Sequence, residues 1–321
     1  MVELVYTCDS KSHAARLMSS SLISGTMKQK ILVIVGPTAS GKTSLSIKLA
    51  KKFDGEIISA DSRQVYHGLD LGTGKVTEEE MDGVPHHLLD VADPQKQYAV
   101  TDFVRDGRKA IKDILARGKL PIIVGGTFFY VDALLGRIST PEVPPNEKLR
   151  KELETQSEDA LIARLSLRDA SRLREIDTKN KRRLIRAIEV AEALGKVPKT
   201  KTEELYDTLT LGTAVNRGIL HENIHARLMA RMEEGMIEEV KDLHENGLSY
   251  ERMEELGLEY RYIARYLRGE LTKEAMLKEL ETKIRQYAKR QMTWLKRDKE
   301  IVWVDKEDLE QTEKLVEGFL N

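Results

Sequence analysis

Three observations predict an α/β fold: a P-loop parallel-sheet core with an inserted all-helical domain. The β-branched run at 31–35 (ILVIV) leads straight into a glycine-rich loop. Short apolar runs then alternate with helical periods to about residue 139. That rhythm breaks at a proline-rich stretch and resumes near residue 209. Strands alternating with helices imply parallel pairing with helices on both sheet faces.

Taken in order, residues 1–29 lack a continuous apolar run and are expected to form a weakly ordered N-terminal extension, with Met27 a candidate start just before the first basic-then-apolar segment. ILVIV is a buried strand. TSLSIKLAKKF places Leu45, Leu49 and Phe53 at helical spacing. EIISA is a second strand and HLLDV a third. Residues 101–117 read as a helix capped by Thr101 and stopped by Gly118. PIIVGG is a fourth strand and 127–135 a short helix.

Three prolines in TPEVPPNEK (140–148) mark a boundary, after which the sequence is helical and highly charged to about residue 204. LTLGTAV (209–215) restores a strand, a long helix is expected over 220–246, and basic helices lead to a last strand, IVWVD (301–305). The expected division is therefore a catalytic core of 30–139 and 205–321, with 140–204 an inserted helical domain.

Composition narrows the function. With 52 Lys+Arg against 53 Asp+Glu among 321 residues, the chain is no globally basic coat protein, so a polyanion must meet a local patch. The single cysteine, Cys8, allows no intramolecular disulfide, which favours a reducing, cytoplasmic setting. The longest apolar run falls far short of the roughly 18 residues that mark a transmembrane helix, so no membrane partner is expected.

The chemistry begins at Gly36–Pro37–Thr38–Ala39–Ser40–Gly41–Lys42–Thr43, which fits G-x-x-x-x-G-K-[ST] between a strand and an amphipathic helix. Such a loop, with Ser44 following, wraps backbone amides around phosphate oxygens. The helix N-terminus adds positive potential, Lys42 reaches the terminal phosphates, and the Thr43 hydroxyl can ligate Mg²⁺. An ordinary P-loop ATPase should also carry an acid after a later strand, but PIIV runs into GGTFFY. The acid stands instead in SADSRQVY, where Asp61 would emerge at the carboxyl edge of the sheet. A helix N-cap at Asp61 or Ser62 would look the same in sequence.

GPTASGKT, SADSRQVYHGLDLGTGK, PHHLLD, VGGTFFYVDALL, RRLIRAIEV and AKRQMTWLKRD follow in order the motif set of the tRNA dimethylallyltransferases, also called tRNA isopentenyltransferases. The resemblance covers about residues 30–300. It implies a P-loop used without nucleotide hydrolysis: dimethylallyl diphosphate is the donor, and the exocyclic N6 of the adenosine 3′-adjacent to the anticodon is the acceptor. It also implies that Arg227 joins the diphosphate site, that Thr127 lies near the reacting atoms, and that Asp61 accepts a proton from the amine. Ser62, Arg63 and Gln64 share the Asp61 motif and are expected at the tRNA. The partners expected are then dimethylallyl diphosphate and a tRNA anticodon stem-loop, with Mg²⁺ as cofactor and a monomer as the working unit.

Two basic clusters suit the RNA. KNKRRLIR carries Lys179, Lys181, Arg182, Arg183 and Arg186 without intervening acids. KIRQYAKRQMTWLKR interleaves Lys283, Arg285, Lys289, Arg290, Lys296 and Arg297 with Tyr287 and Trp294. Solvated helix faces have the same composition. GLEYRYIARY (257–266) resembles the family's tRNA-contacting turn with Arg261 as the contact, although Leu258 and Glu259 depart from the GYR or GYK of some members. Eukaryotic members carry a C-terminal zinc finger, and a chain with no Cys beyond position 8 resembles the shorter bacterial type.

His221-Glu222-Asn223-Ile224-His225 matches H-E-x-x-H, which could hold zinc. It falls where the family has the start of its Arg227 helix, so surface histidines are expected. His86 and His87 are expected to pack or hydrogen-bond. The competing readings are a small P-loop kinase using Asp61 as base for an acceptor hydroxyl, and a nucleic-acid-binding module with a vestigial P-loop.

Overall fold

A computed structural model describes residues 28–138, 140–141, 143–198 and 203–321; the expected extension at 1–29 lies outside these except for its last two residues. Six parallel strands form one sheet in the order β3-β2-β4-β1-β5-β6, where β1 is Lys30–Val35, β2 Gly55–Ser59, β3 His86–His87, β4 Leu120–Gly125, β5 Asp207–Thr213 and β6 Val302–Val304. The central strands are buried on both faces, as their unbroken apolar runs require.

Alternate residues of β1 serve opposite faces. Leu32 and Ile34 pack with Leu45 and Leu49 of helix α1 (Lys42–Lys52). Ile31 and Val33 pack with Phe103, Ile111 and Ile114 of α3 (Val100–Ala116), which follows the single turn α2 (Glu78–Met81), and with Leu134 of α4 (Phe128–Leu135). The phosphate loop leaves β1 and the Gly126–Thr127 turn leaves the adjacent β4, so both emerge at the carboxyl edge of the sheet, where open parallel sheets hold ligands.

The segment after the prolines forms α5 (Glu147–Glu154), α6 (Glu158–Leu173) and α7 (Lys181–Leu194), with an apolar cluster of their own that includes Leu153, Leu161, Leu165, Leu184 and Ile188. A further helical layer comprises α8 (Arg217–Glu233), α9 (Met236–Glu245), α10 (Tyr250–Leu256), α11 (Leu258–Leu267) and α12 (Lys273–Leu295). It shares one core with Val65, Tyr66 and Leu69 from the loop beyond β2. The chain closes with α13 (Leu309–Leu320).

Three expectations are corrected, and one helix lies beyond them. The strand HLLDV shrinks to His86–His87, because Leu88 takes φ +65° and turns its buried side chain into the α3 face of the sheet. Thr101 does not cap its helix: the helix begins at Val100, and the Asp102 carboxylate accepts the Ala99 amide at 3.0 Å. The long helix over 220–246 is two, α8 and α9, broken at Gly235, whose φ of +100° turns the chain at little cost only for glycine. Helix α13 follows the last expected strand, with Asp308 as its cap and Thr312, Val316 and Phe319 recurring at helical spacing on its buried side.

Candidate active site

A cavity of about 630 Å³ lies at the carboxyl edge of the sheet between the phosphate loop, the Asp61 turn and the helical layer. Its floor is the phosphate loop. Ala39 (φ +60°) and Gly41 (φ +88°) take left-handed backbone there, and the first amides of α1 have no intrahelical partners. Ser40 is fully buried and its hydroxyl is 2.6 Å from that of Thr213 at the end of β5, so it braces the loop from below. The Thr38 amide donates to the Gln291 side chain at 2.9 Å. Thr38, Ala39, Lys42 and Thr43 line the cavity. Gly36, Pro37, Ser40, Gly41 and Ser44 do not; Gly36 is buried beneath and Ser44 faces solvent.

The Lys42 ammonium donates to the Pro37 carbonyl at 2.7 Å. Burial lowers its pKa to about 8, opposed by the charge of Asp61 and reinforced by Arg227. Arg227 is an exposed residue that lines the cavity, where burial of its guanidinium and then Arg231 depress its pKa. Arg231 donates to the Leu71 carbonyl at 2.9 Å and to buried Glu259 at 3.3 Å. Burial raises the pKa of Glu259 against the pull of Arg231.

Asp61 follows β2 by two residues, as SADS predicts. One carboxylate oxygen, Oδ1, accepts the amides of Arg63 at 2.8 Å and Gln64 at 3.4 Å, so the carboxylate caps the turn and lines the cavity. Thr127, two residues beyond β4 at the start of α4, supports the turn, its hydroxyl accepting the Ser62 amide at 3.2 Å. Gln64 accepts from the Ser59 hydroxyl and donates to the Gly74 carbonyl, tying the turn to the loop 69–75. That loop is built on Glu239, whose carboxylate accepts the amides of Asp70, Leu71 and Gly72 at 2.6 to 3.1 Å and the Tyr260 hydroxyl at 2.9 Å.

One wall comes from α12, where Lys283, Tyr287, Arg290 and Gln291 face the cavity. Burial, and then the charge of Asp61, push the Tyr287 phenol up to about 12.

Of the other basic residues singled out in the sequence, Arg63, Arg182 and Arg261 line the cavity, and Arg183 and Lys289 are exposed without lining it. Arg186 is engaged inside the protein, bonding Glu189 and the carbonyls of Pro141 and Val143, and Lys181 ties the start of α7 to the Glu154 and Gln156 carbonyls. Arg261 clamps the Glu254 carbonyl. Gln291, Glu239, Arg231 and Thr213 join the site without a sequence signal: each meets its partner across a sequence separation above 150, which no local pattern marks.

The H-E-x-x-H histidines lie in α8. His225 is 3.3 Å from Glu281, and Asn223 donates to the Ala39 carbonyl at 3.3 Å. Among the described residues no group of three or more His, Cys, Asp and Glu could hold a metal. His86 is 2.8 Å from the Val84 carbonyl and His87 2.7 Å from buried Glu56.

A P-loop at the sheet edge, beside an acid and an arginine-lined cavity covered by helices, places the chain among P-loop proteins with a cavity suited to a phosphorylated ligand. Comparison makes this particular. The IPP transferase family matches residues 64–298, and the isopentenyl transferase family matches 29–95. The chain is 45% identical to tRNA dimethylallyltransferase 1 of Geotalea uraniireducens, over 84% of this chain and 89% of that one. It is 38% identical to the tRNA dimethylallyltransferase of Halalkalibacterium halodurans, over 91% and 96%. Two solved structures are similar: a tRNA isopentenylpyrophosphate transferase from Bacillus halodurans (TM-score 0.70, 36% identity, 91% of this chain and 97% of that one), and a eukaryotic dimethylallyltransferase acting on tRNA (TM-score 0.76, 31% identity, 88% and 75%). The chain belongs to the tRNA dimethylallyltransferase family.

Proposed function

We propose that this protein transfers the dimethylallyl group of dimethylallyl diphosphate to N6 of the adenosine 3′-adjacent to the anticodon of tRNA, releasing diphosphate. The observation that carries the reading is that Lys42, Arg227 and Asp61 line one cavity, so a group that holds the leaving oxygens and a group that takes the amine proton face the same space. As the allylic C–O bond breaks, negative charge grows on the diphosphate, and Lys42, Arg227 and the α1 amides stabilise it there. The adenine amine forms the new N–C bond and gives up its proton to Asp61, which must come within about 3 Å of the nitrogen.

The base reaches this depth only by leaving the anticodon stack, at a cost of a few kcal/mol. Cations against the RNA phosphates offset that cost, and Arg63, Arg182, Arg261 and Arg290 around the cavity, with Arg183 and Lys289 outside it, suit this role. Membership of this family also argues against the small-molecule kinase reading.

Mg²⁺ fits the donor side. The Thr43 hydroxyl lines the cavity and has no protein hydrogen-bond partner among the described residues, and an ion that retains waters and uses substrate phosphates needs no protein cage. When bound, the ion would neutralise charge on the departing diphosphate. No described helix is long and apolar enough to cross a membrane. That fits a cytoplasmic enzyme meeting tRNA, and we take the monomer as its working unit.

The test incubates the full chain with labelled dimethylallyl diphosphate and an anticodon stem-loop RNA, with a parallel arm containing labelled ATP. Prenylated adenosine in the digested RNA is expected. Phosphoryl transfer, or RNA binding without transfer, would overturn the reading.

A further inference from the structure

Gln291 is a glutamine with 6% of its surface exposed, and both ends of its amide are committed. Its carbonyl oxygen accepts the Thr38 amide of the phosphate loop at 2.9 Å, and its NH₂ donates to the Gly126 carbonyl at 3.0 Å. The orientation is dictated by the partners, since a backbone N–H can only donate and a carbonyl can only accept. Thr127 comes next in the chain and receives the Ser62 amide, beside Asp61. A continuous set of bonds therefore runs from the loop that holds the donor, through one side chain of α12, to the turn that holds the base's proton acceptor. The joint is tight: a Cβ on Gly126 would stand 2.3 Å from the Gln291 nitrogen.

We infer that Gln291 is a positioning residue that fixes the separation of the donor and acceptor halves of the site, keeping the departing diphosphate and the attacking amine in line. The inference rests on the prenyl-transfer reading. In the aligned site the amine nitrogen bonds to the allylic carbon as the C–O pair leaves with diphosphate, and the amine proton passes to Asp61. When the halves drift apart, water takes the amine's place: its oxygen bonds to the same carbon, its proton goes to solvent, and the products are a dimethylallyl alcohol and diphosphate. A misplacement of about 1 Å suffices to cost on the order of 10²-fold in rate.

Two full-chain variants test this from opposite sides of the joint. Gln291→Met keeps the volume and removes both hydrogen bonds; Gly126→Ala leaves Gln291 in place and forces its amide away. With stem-loop RNA and dimethylallyl diphosphate, kcat should fall about 10²-fold in each, while KM for either substrate stays within a few fold. The alcohol released per prenyl group transferred should rise in both. Wild-type kcat with a wild-type alcohol ratio in either folded variant would overturn the inference, as would a rise in KM with that ratio unchanged. If one variant fails to fold, the other decides. Absence of transfer by the unmodified protein would instead overturn the functional reading, so the two failures are separable.

Discussion

Asp61 and Arg63 are joined through half of a carboxylate: Oδ1 of Asp61 accepts the Arg63 amide at 2.8 Å, and among the described residues Oδ2 has no protein donor. One side chain thus holds its own turn and keeps an acceptor for a ligand. The capping role is therefore met by Oδ1 alone, and the geometry leaves room for a functional acid on the same side chain.

The two roles separate on substitution. Asparagine can still accept the Arg63 and Gln64 amides through its carbonyl oxygen, so Asp61→Asn should unfold within about 0.5 kcal/mol of wild type, whereas Asp61→Ala should lose about 1 kcal/mol. Neither variant can take the amine proton, so both should lose about 10²- to 10⁴-fold in single-turnover prenylation. An Asp61→Asn rate within a few fold of wild type would reduce Asp61 to a capping residue.

The lowered pKa of Lys42 predicts that diphosphate binding is pH-dependent. In the ligand-free protein its pKa is lowered to about 8, chiefly by burial, while a free lysine titrates near 10.4. Below pH 8 the ammonium is charged and ready for the anion. As pH rises through 8 it becomes neutral, and binding must then recruit a proton. Affinity for inorganic diphosphate should fall above pH 8, with proton uptake on binding near pH 8.5, visible by calorimetry in buffers of different ionisation enthalpy. The same shift makes folding stability rise between pH 8 and about 10.4, where the unfolded chain binds the extra proton. A Lys42→Arg variant, always charged, should bind with a flat profile; a flat profile in the unsubstituted protein would refute the shift.

What the sequence could show of this site was what is local. GPTASGKT between a β-branched run and an amphipathic helix specifies a strand, a loop and a helix within about 20 residues, and the structure has them there. Asp61 was legible because a strand precedes it directly. Gln291 was not, since its partners Thr38 and Gly126 lie 253 and 165 positions away. The charge-rich clusters were legible in composition but not in orientation: Arg183 and Arg186 are three residues apart on one helix, yet one faces solvent and the other a buried glutamate. The break at Gly235 was hidden because apolar spacing continues across it from α8 to α9.

Glu239 supplies a prediction of the non-local kind. Its two oxygens accept three consecutive amides of the loop 69–75 and the Tyr260 hydroxyl, and Gly72, Thr73 and Gly74 of that loop line the cavity beside Arg227. In Glu239→Gln one oxygen becomes an NH₂, which cannot accept and would face donors. Hydrogen bonds to charged groups contribute about 1.5–3 kcal/mol each, so the variant should lose at least about 2 kcal/mol in denaturant unfolding. Its KM for dimethylallyl diphosphate should also rise. Unchanged unfolding would show that the loop does not depend on this carboxylate.

Arg183 and Arg186, one turn apart on α7, should respond in opposite ways. Arg183 is exposed and its side chain has no hydrogen-bond partner among the described residues, so its charge is available to an RNA phosphate. Arg183→Ala should weaken stem-loop binding and lower the slope of log affinity against log salt by about 0.7 to 0.9 per lost contact, with stability unchanged. Arg186 instead bonds the Glu189 carboxylate, whose side chain is 1% exposed, and the carbonyls of Pro141 and Val143 at the entry to the inserted helices. Arg150 also holds Glu189, at 2.9 Å through two nitrogens, so removing Arg186 leaves the carboxylate under-satisfied without stranding it. The expected loss for Arg186→Ala is about 1–3 kcal/mol of stability, with a salt slope equal to that of wild type once binding is measured well below the unfolding transition. A reduced slope for Arg186→Ala at full stability would move that residue back to the RNA-binding surface, and an unchanged slope for Arg183→Ala would remove Arg183 from it.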